Sequence, residues 1–276
     1  MNLLVSNALQ DGCNAIRIGD FTAGDEIGFC IARMQAGETH LTRLSKAETA
    51  IVLLAGTCTV KCGDATYEHV GERENVFAGR ATAVYAPPGV PVEVLAETNA
   101  EIAVAATPAT MEGEPQLVTP ENVYARSVGQ WNWRREVHDV IGENVPAEKL
   151  LVGETYNPPG NWSSYPPHKH DEDNLPAEVK MEEVYHFRIN PPSGFGVQRI
   201  YTAKHTTDGE LDETYTVRDG DTVAIPRGYH PVGAAPGYQL YYLWILAGAN
   251  RIMRPSDDPE HAWVKATEAV AAEMAR

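Results

Sequence analysis

The chain has 276 residues, 43% of them hydrophobic, with a formal net charge of −16 and a pI of about 4.9. That supplies the core of two ordinary domains or one large one and excludes a disordered chain. The acidity excludes non-specific nucleic-acid or anionic-membrane binding, and an anionic ligand would need its own cluster of Arg, Lys or metal.

The opening Met1-Asn2-Leu3-Leu4-Val5-Ser6 has no basic region leading into an apolar core, so no signal peptide is expected. No apolar run reaches membrane-spanning length. Cys13, Cys30, Cys58 and Cys62 are dispersed. The expectation is four reduced thiols in a cytoplasmic protein, with no membrane and no nucleic-acid partner.

Short runs of Val, Ile, Tyr and Thr, broken by Gly, Pro, Asn and Asp, recur along the chain and predict an all-β fold. In the first half the predicted strands are 26–34, 50–54, 57–62, 81–86, 90–95 and 102–106. Pro87-Pro88-Gly89 is a turn that no central strand would tolerate. The second half repeats this grammar with strands over 150–156, 183–188, 196–202, 213–217, 222–225 and 240–246. The halves read as two copies of one antiparallel barrel, with 107–118 as the seam. Three segments follow: 1–118 a barrel without metal ligands, 119–250 a metal-binding barrel, and 251–276 a tail. In the tail Asp258 is a candidate N-cap, and Trp263, Ala266, Val270 and Met274 fall at helical spacing, predicting a short helix that packs on the barrel or another subunit.

The strongest local signal is Pro166-Pro167-His168-Lys169-His170, followed by Glu182-Glu183-Val184-Tyr185 and Pro226-Arg227-Gly228-Tyr229-His230-Pro231. Alternate residues of a strand share a face, so His168 and His170 point together while Lys169 points away. Glu183 opens the next strand and His230 follows a proline-glycine corner. Any one of these histidines alone reads as structural. Together, three imidazoles and a carboxylate form a ligand set suited to one divalent zinc, manganese or iron ion. The first half has Gly37-Glu38-Thr39-His40 and Ala47-Glu48 near the equivalent place, but no His-x-His.

Two barrels with His-x-His, Glu, Gly-x5-Pro-x-Gly and His resemble the cupin superfamily in its two-barrel, or bicupin, form (a double-stranded β-helix, or jelly roll, in each half). More closely, the stretch Gly160 to Asp171, Glu183-Val184-Tyr185, Gly194 to Tyr201 and Pro226 to Pro231 resemble the 5-deoxy-glucuronate isomerases of inositol catabolism. Arg135 with Val137-His138-Asp139 is a weaker match. These enzymes are similar to the 5-keto-4-deoxyuronate isomerases of pectin breakdown. His230 follows Gly228 with only Tyr229 between, one residue fewer than usual, which implies a tighter turn or bulge.

The resemblance implies an aldose-ketose isomerase converting 5-deoxy-D-glucuronate, a small anionic sugar acid, to 2-deoxy-5-keto-D-gluconate. Tyr185, Tyr229 and Tyr242 are the candidate catalytic phenols, since a nearby cation lowers a phenol's pKa. Tyr185 shares a face with Glu183. Arg199 is the candidate carboxylate ligand, with a surface ion pair as its plainer role, and Gln198 and Tyr165 are further substrate-binding candidates. Gln198 and Arg199 cannot both face inward. His186 should face away from the metal, His138 reads as structural, and His205 lies in a polar loop. Other readings are the pectin-type uronate isomerase, a metal-dependent cupin dioxygenase, and a sugar-sensing or storage bicupin. Edge strands and the C-terminal helix suggest a homo-oligomer.

Overall fold

The computed structural model describes residues 2–6, 12–17 (backbone only), 26–203 and 209–274, so the loop holding His205 and the side chain of Cys13 lie outside the described residues. All twelve predicted strands are present, and two sheets in each half close into a barrel. In the first barrel a six-stranded sheet, ordered Gln116–Val118, Thr82–Ala86, Ala47–Ala55, Ala100–Pro108, Gly28–Met34 and Gly12–Arg17, faces a four-stranded one. In the second, a seven-stranded sheet runs Leu4–Val5, Thr222–Ile225, Glu182–Asn190, Gln239–Ala247, Leu150–Asn157, Arg135–Ile141 and Tyr124–Val128. It faces Trp162–Ser163, Val232–Ala234, Gly196–Tyr201 and Asp212–Val217. The strand orders correspond, which is the repeat expected from the sequence.

One position is filled differently. Beside Thr82–Ala86 lies Gln116–Val118, the segment that leaves the first barrel. Beside Thr222–Ile225 lies Leu4–Val5, from the far end of the chain. Leu3 is fully buried in the core of the second barrel.

The large sheets of the two barrels pack on each other through their outer faces. Ala50, Val52 and Leu54 meet Val152, Tyr156, Leu243 and Ile245 in one cluster, while Ile51 and Leu53 point into the first barrel and Tyr242 and Trp244 into the second. Strands buried on both sides read as continuous apolar runs, and Ala47–Ala55 and Gln239–Ala247 are such runs. Carboxylates cross this seam. Glu154 is fully buried and takes both terminal nitrogens of Arg73 (2.7 and 3.2 Å) and the hydroxyls of Tyr156 (2.9 Å) and Tyr241 (2.8 Å). Glu48 accepts the amides of Glu148, Lys149 and Leu150. It therefore faces the seam and not the interior of the first barrel, where a metal ligand would have to point.

One expectation is corrected. Cys30 is disulfide-bonded, whereas four reduced thiols were expected; Cys58 and Cys62 are free and buried. The helical tail is Trp263–Ala266 and Glu268–Met274, but its buried residues are Val264 and Ala271. Trp263, Val270 and Met274, expected to pack on the barrel or on another subunit, do not pack on the barrel and are exposed on this chain. Among the described residues no helix is long and apolar enough to cross a membrane.

Candidate metal centre and cavity

His170, Glu183 and His230, all buried, bring their ligand atoms within 4.8 Å of one another. His170 Nε2 is 3.0 Å and His230 Nε2 3.2 Å from the same carboxylate oxygen, Glu183 Oε2. The ring of His168 stands edge-on to His230, with centroids 4.8 Å apart. His168 and His170 thus turn to one side. Lys169 turns away to Glu178, 2.8 Å distant, as strand alternation requires.

Backbone carbonyls orient two of the rings. His170 Nδ1 is 2.6 Å from Met181 O, and His230 Nδ1 is 2.8 Å from Gly228 O. A carbonyl only accepts, so each Nδ1 carries the proton and each Nε2 directs a lone pair inward. The one-residue spacing between Gly228 and His230 is what closes this second contact. Gly228 has φ +94°, and a Cβ there would stand 2.7 Å from Tyr201 O, so the corner requires glycine. Its amide donates to Asp171 Oδ1 at 2.8 Å.

This donor set fits a metal cation. Two imidazole nitrogens converge on one carboxylate oxygen in the barrel interior, and His230 Nε2 approaches it without making a hydrogen bond. Burial lowers the pKa of His168, and His230 and His170 push it further down, so it stays neutral. Burial also pulls His170 down, but the adjoining Glu183 carboxylate more than restores it. Burial raises Glu183, but His170 and His230 hold it below its usual range and keep it ionised. A proton on His170 occupies the place a divalent ion would take. Neutral imidazoles with one carboxylate suit zinc, manganese or iron.

A cavity of about 210 Å³ opens on His168 and Glu183 and is walled by Thr155, Ser164, Tyr185 and Tyr242. The Tyr185 and Tyr242 rings lie 4.2 Å apart. Their hydroxyls are each 2.8 Å from a serine, Tyr185 with Ser164 and Tyr242 with Ser163. Burial and then the Glu183 charge raise the Tyr185 pKa well above the usual phenol range, so Tyr185 is a hydrogen-bond donor. Arg126, Trp244 and Met253 are shared with a wider outer vestibule that also includes Arg251 and Arg254.

Of the other predicted site residues, none lines this cavity. Arg199 points outward, where Asp212 holds it in two contacts of 2.8 and 2.9 Å and Tyr201 lies beneath it. Gln198 is the inward member of that pair, yet its amide is engaged by the carbonyl of His230 (2.7 Å), so it braces a ligand strand. Tyr229 stacks on Tyr201, and Tyr165 borders a separate aromatic groove with Trp162 and Trp263. His186 faces the seam, as its parity required. Sequence reasoning overlooked Thr155 and Ser164 at the cavity and Ser163 behind Tyr242, and gave no role to Arg135, which also lines the cavity. Alternation along 135–141 would have placed Arg135 on the interior face with Val137.

The structure superposes on an IolB-like protein from Salmonella typhimurium LT2 with a TM-score of 0.91 at 35% identity, covering 96% of this chain and 100% of that one. An oxalate decarboxylase from Lactobacillus farciminis matches in fold alone, with a TM-score of 0.65 at 14% identity over 100% of this chain and 94% of that one. In sequence, the 5-deoxy-glucuronate isomerase of Geobacillus kaustophilus is 40% identical over 264 residues, 95% of this chain and 94% of that protein. The protein of that name from Bacillus velezensis is 37% identical over 94% and 96% of the respective chains. The KduI/IolB family pattern runs from residue 3 to residue 264. With two barrels, one of them enclosing His170, Glu183 and His230, this chain belongs to the KduI/IolB family.

Proposed function

We propose that the chain isomerises 5-deoxy-D-glucuronate to 2-deoxy-5-keto-D-gluconate with one divalent ion, zinc, manganese or iron, held by His168, His170, Glu183 and His230. The observation that carries this reading is the buried cluster with its unpartnered His230 Nε2, in a chain matching over nearly its whole length relatives named for that reaction. A bound ion polarises a carbonyl and stabilises the negative charge that develops on its oxygen.

The reaction moves a carbonyl from C1 to C2. The hydrogen on C2 leaves as a proton, one is added at C1, and the C2 hydroxyl proton passes to the oxygen on C1. Tyr185 and Tyr242, with Ser164 and Ser163 behind them, are the proton-carrying groups beside the ligand cluster. Tyr185, kept neutral by burial, donates to the substrate oxygen that gains charge, and the pair exchanges protons across the two oxygens. Trp244, Val137 and Met253 shield the reacting carbons from bulk water. The chain acts in the cytoplasm, and the exposed Trp263, Val270 and Met274 side of its helix meets a second copy.

The test is anaerobic incubation of metal-loaded protein with 5-deoxy-D-glucuronate in deuterated water, followed by proton NMR. Conversion without oxygen supports the isomerase and removes the dioxygenase reading. Deuterium at the new methylene identifies proton transfer through solvent-exchanging groups. Absence of conversion at full metal occupancy would overturn the assignment.

A further inference from the structure

Arg135 opens the strand Arg135–Ile141 and lines the metal cavity beside Val137, Thr155, Tyr185 and Tyr242. Its seat is built. Gly129 has φ +78°, and a Cβ there would stand 2.4 Å from Trp133 O and 3.0 Å from Arg135 Nη1. Nη1 donates to the carbonyls of Trp133 at 3.2 Å and Tyr165 at 3.3 Å. Those contacts fix the guanidinium without neutralising it. Burial lowers its pKa, and the acidic groups that partly offset this, Tyr242, Tyr185 and Glu268, make no hydrogen bond to it.

The other guanidinium lining this cavity is already spent: Arg126 pairs with Asp139. Among the described residues Arg135 has no carboxylate within ion-pair distance, and its Nε and Nη2 make no hydrogen bond. A cation fixed in a cavity with one edge of its fork unused matches the two oxygens of a carboxylate.

We propose that Arg135 binds the substrate carboxylate, so that the acid spans the cavity with its carbonyl end at His170, Glu183 and His230 and its carboxylate at Arg135. The uronate identity rests on the isomerase reading; the anion site does not. A neutral aldose would leave a desolvated guanidinium unpaired, so the site selects aldoses that carry a carboxylate at the far end.

The experiment compares wild type, R135Q and R135K at equal metal content and matched circular dichroism. Three compounds are used: 5-deoxy-D-glucuronate, its neutral analogue with a hydroxymethyl in place of the carboxylate, and the reduced acid whose aldehyde is an alcohol and cannot isomerise. R135Q is expected to lower kcat/KM for the uronate on the order of 100-fold, mostly through KM, and to change that of the neutral analogue by less than about threefold. By calorimetry the reduced acid should bind R135Q at least roughly 30-fold more weakly, and R135K, which keeps the charge but not the fork, should fall between. Equal losses on acid and neutral compound, or an unchanged Kd for the reduced acid, would overturn the assignment. Arg135-dependent binding without turnover in the wild type would overturn the isomerase reading and leave the anion site standing.

Discussion

The Tyr185 hydroxyl, 2.8 Å from Ser164 Oγ, is one bond away from being a methylene-sized gap. Tyr185→Phe removes that oxygen and little volume, so the fold and metal content should survive while kcat falls roughly 10²- to 10⁴-fold. Turnover alongside metal analysis checks this, and a loss of bound metal would place Tyr185 in structural service instead. His186 supplies a different readout. It is fully buried at the seam with Nδ1 3.0 Å from Thr222 Oγ1, and burial, aided by Arg188 and Arg33, lowers its pKa to about 3. In the folded chain it is neutral, whereas in the unfolded chain it protonates near 6.5. Between those values the unfolded state binds the extra proton, so stability falls as pH drops below 6.5, by about 1.4 kcal/mol per unit. His186→Asn keeps a partner for Thr222 and should flatten the urea-measured stability slope between pH 6.5 and 5, a difference of about 2 kcal/mol at pH 5. An unchanged slope would refute it.

Among the elements, the tail is the one whose role the sequence concealed. Ser256–Asp257 pairs with His168–Lys169, Asp258 N donates to Pro167 O at 2.8 Å, and Tyr201 donates to Asp258 Oδ2 at 2.6 Å. Met253 and Pro255 complete the cavity wall. A chain ended after residue 250 should therefore bind metal roughly 10- to 100-fold more weakly, as loss of supporting contacts around ligands does; competition with a chelator measures it. Legibility followed burial and length. Strands such as Leu150–Asn157 and Gln239–Ala247, hydrophobic on both faces, were evident. Tyr124–Val128, at the edge of the sheet, and its charged neighbour Arg135–Ile141 were not. Missing the second of these hid the direction of Arg135 and left Arg199 as the apparent cation. The ligands were legible because a strand's two-residue period sets His168 against Lys169. The serines behind the tyrosines were not, since Ser164 has φ +49°, a left-handed conformation that no pattern announces.

At the scale of the whole molecule, the first barrel is wired to the one that holds His170, Glu183 and His230. Arg73 of the first barrel meets Glu154 of the second, and the next residue along that strand, Thr155, lines the cavity. Arg73→Ala would leave Glu154 charged, dry and served only by two phenols, which should cost about 3–5 kcal/mol. Denaturant melts measure the loss, and a cost under about 1 kcal/mol would show the seam to be held by apolar packing alone. Arg73→Met with Glu154→Leu should recover much of it, because replacing both charges removes the unpaired one.

The exchange of edges described for Leu4–Val5 and Gln116–Val118 sets an order on assembly. Residues 3–5 are synthesised well before their places, since Val223, Ala224 and Tyr215 follow more than two hundred residues later. Residues 3–5 must stay unspent while the first barrel closes, and the half that holds His170, Glu183 and His230 has its last edge covered only when they return to it. A cut between the barrels would thus yield a C-terminal fragment with Thr222–Ile225 as a bare edge, open to whatever strand arrives first.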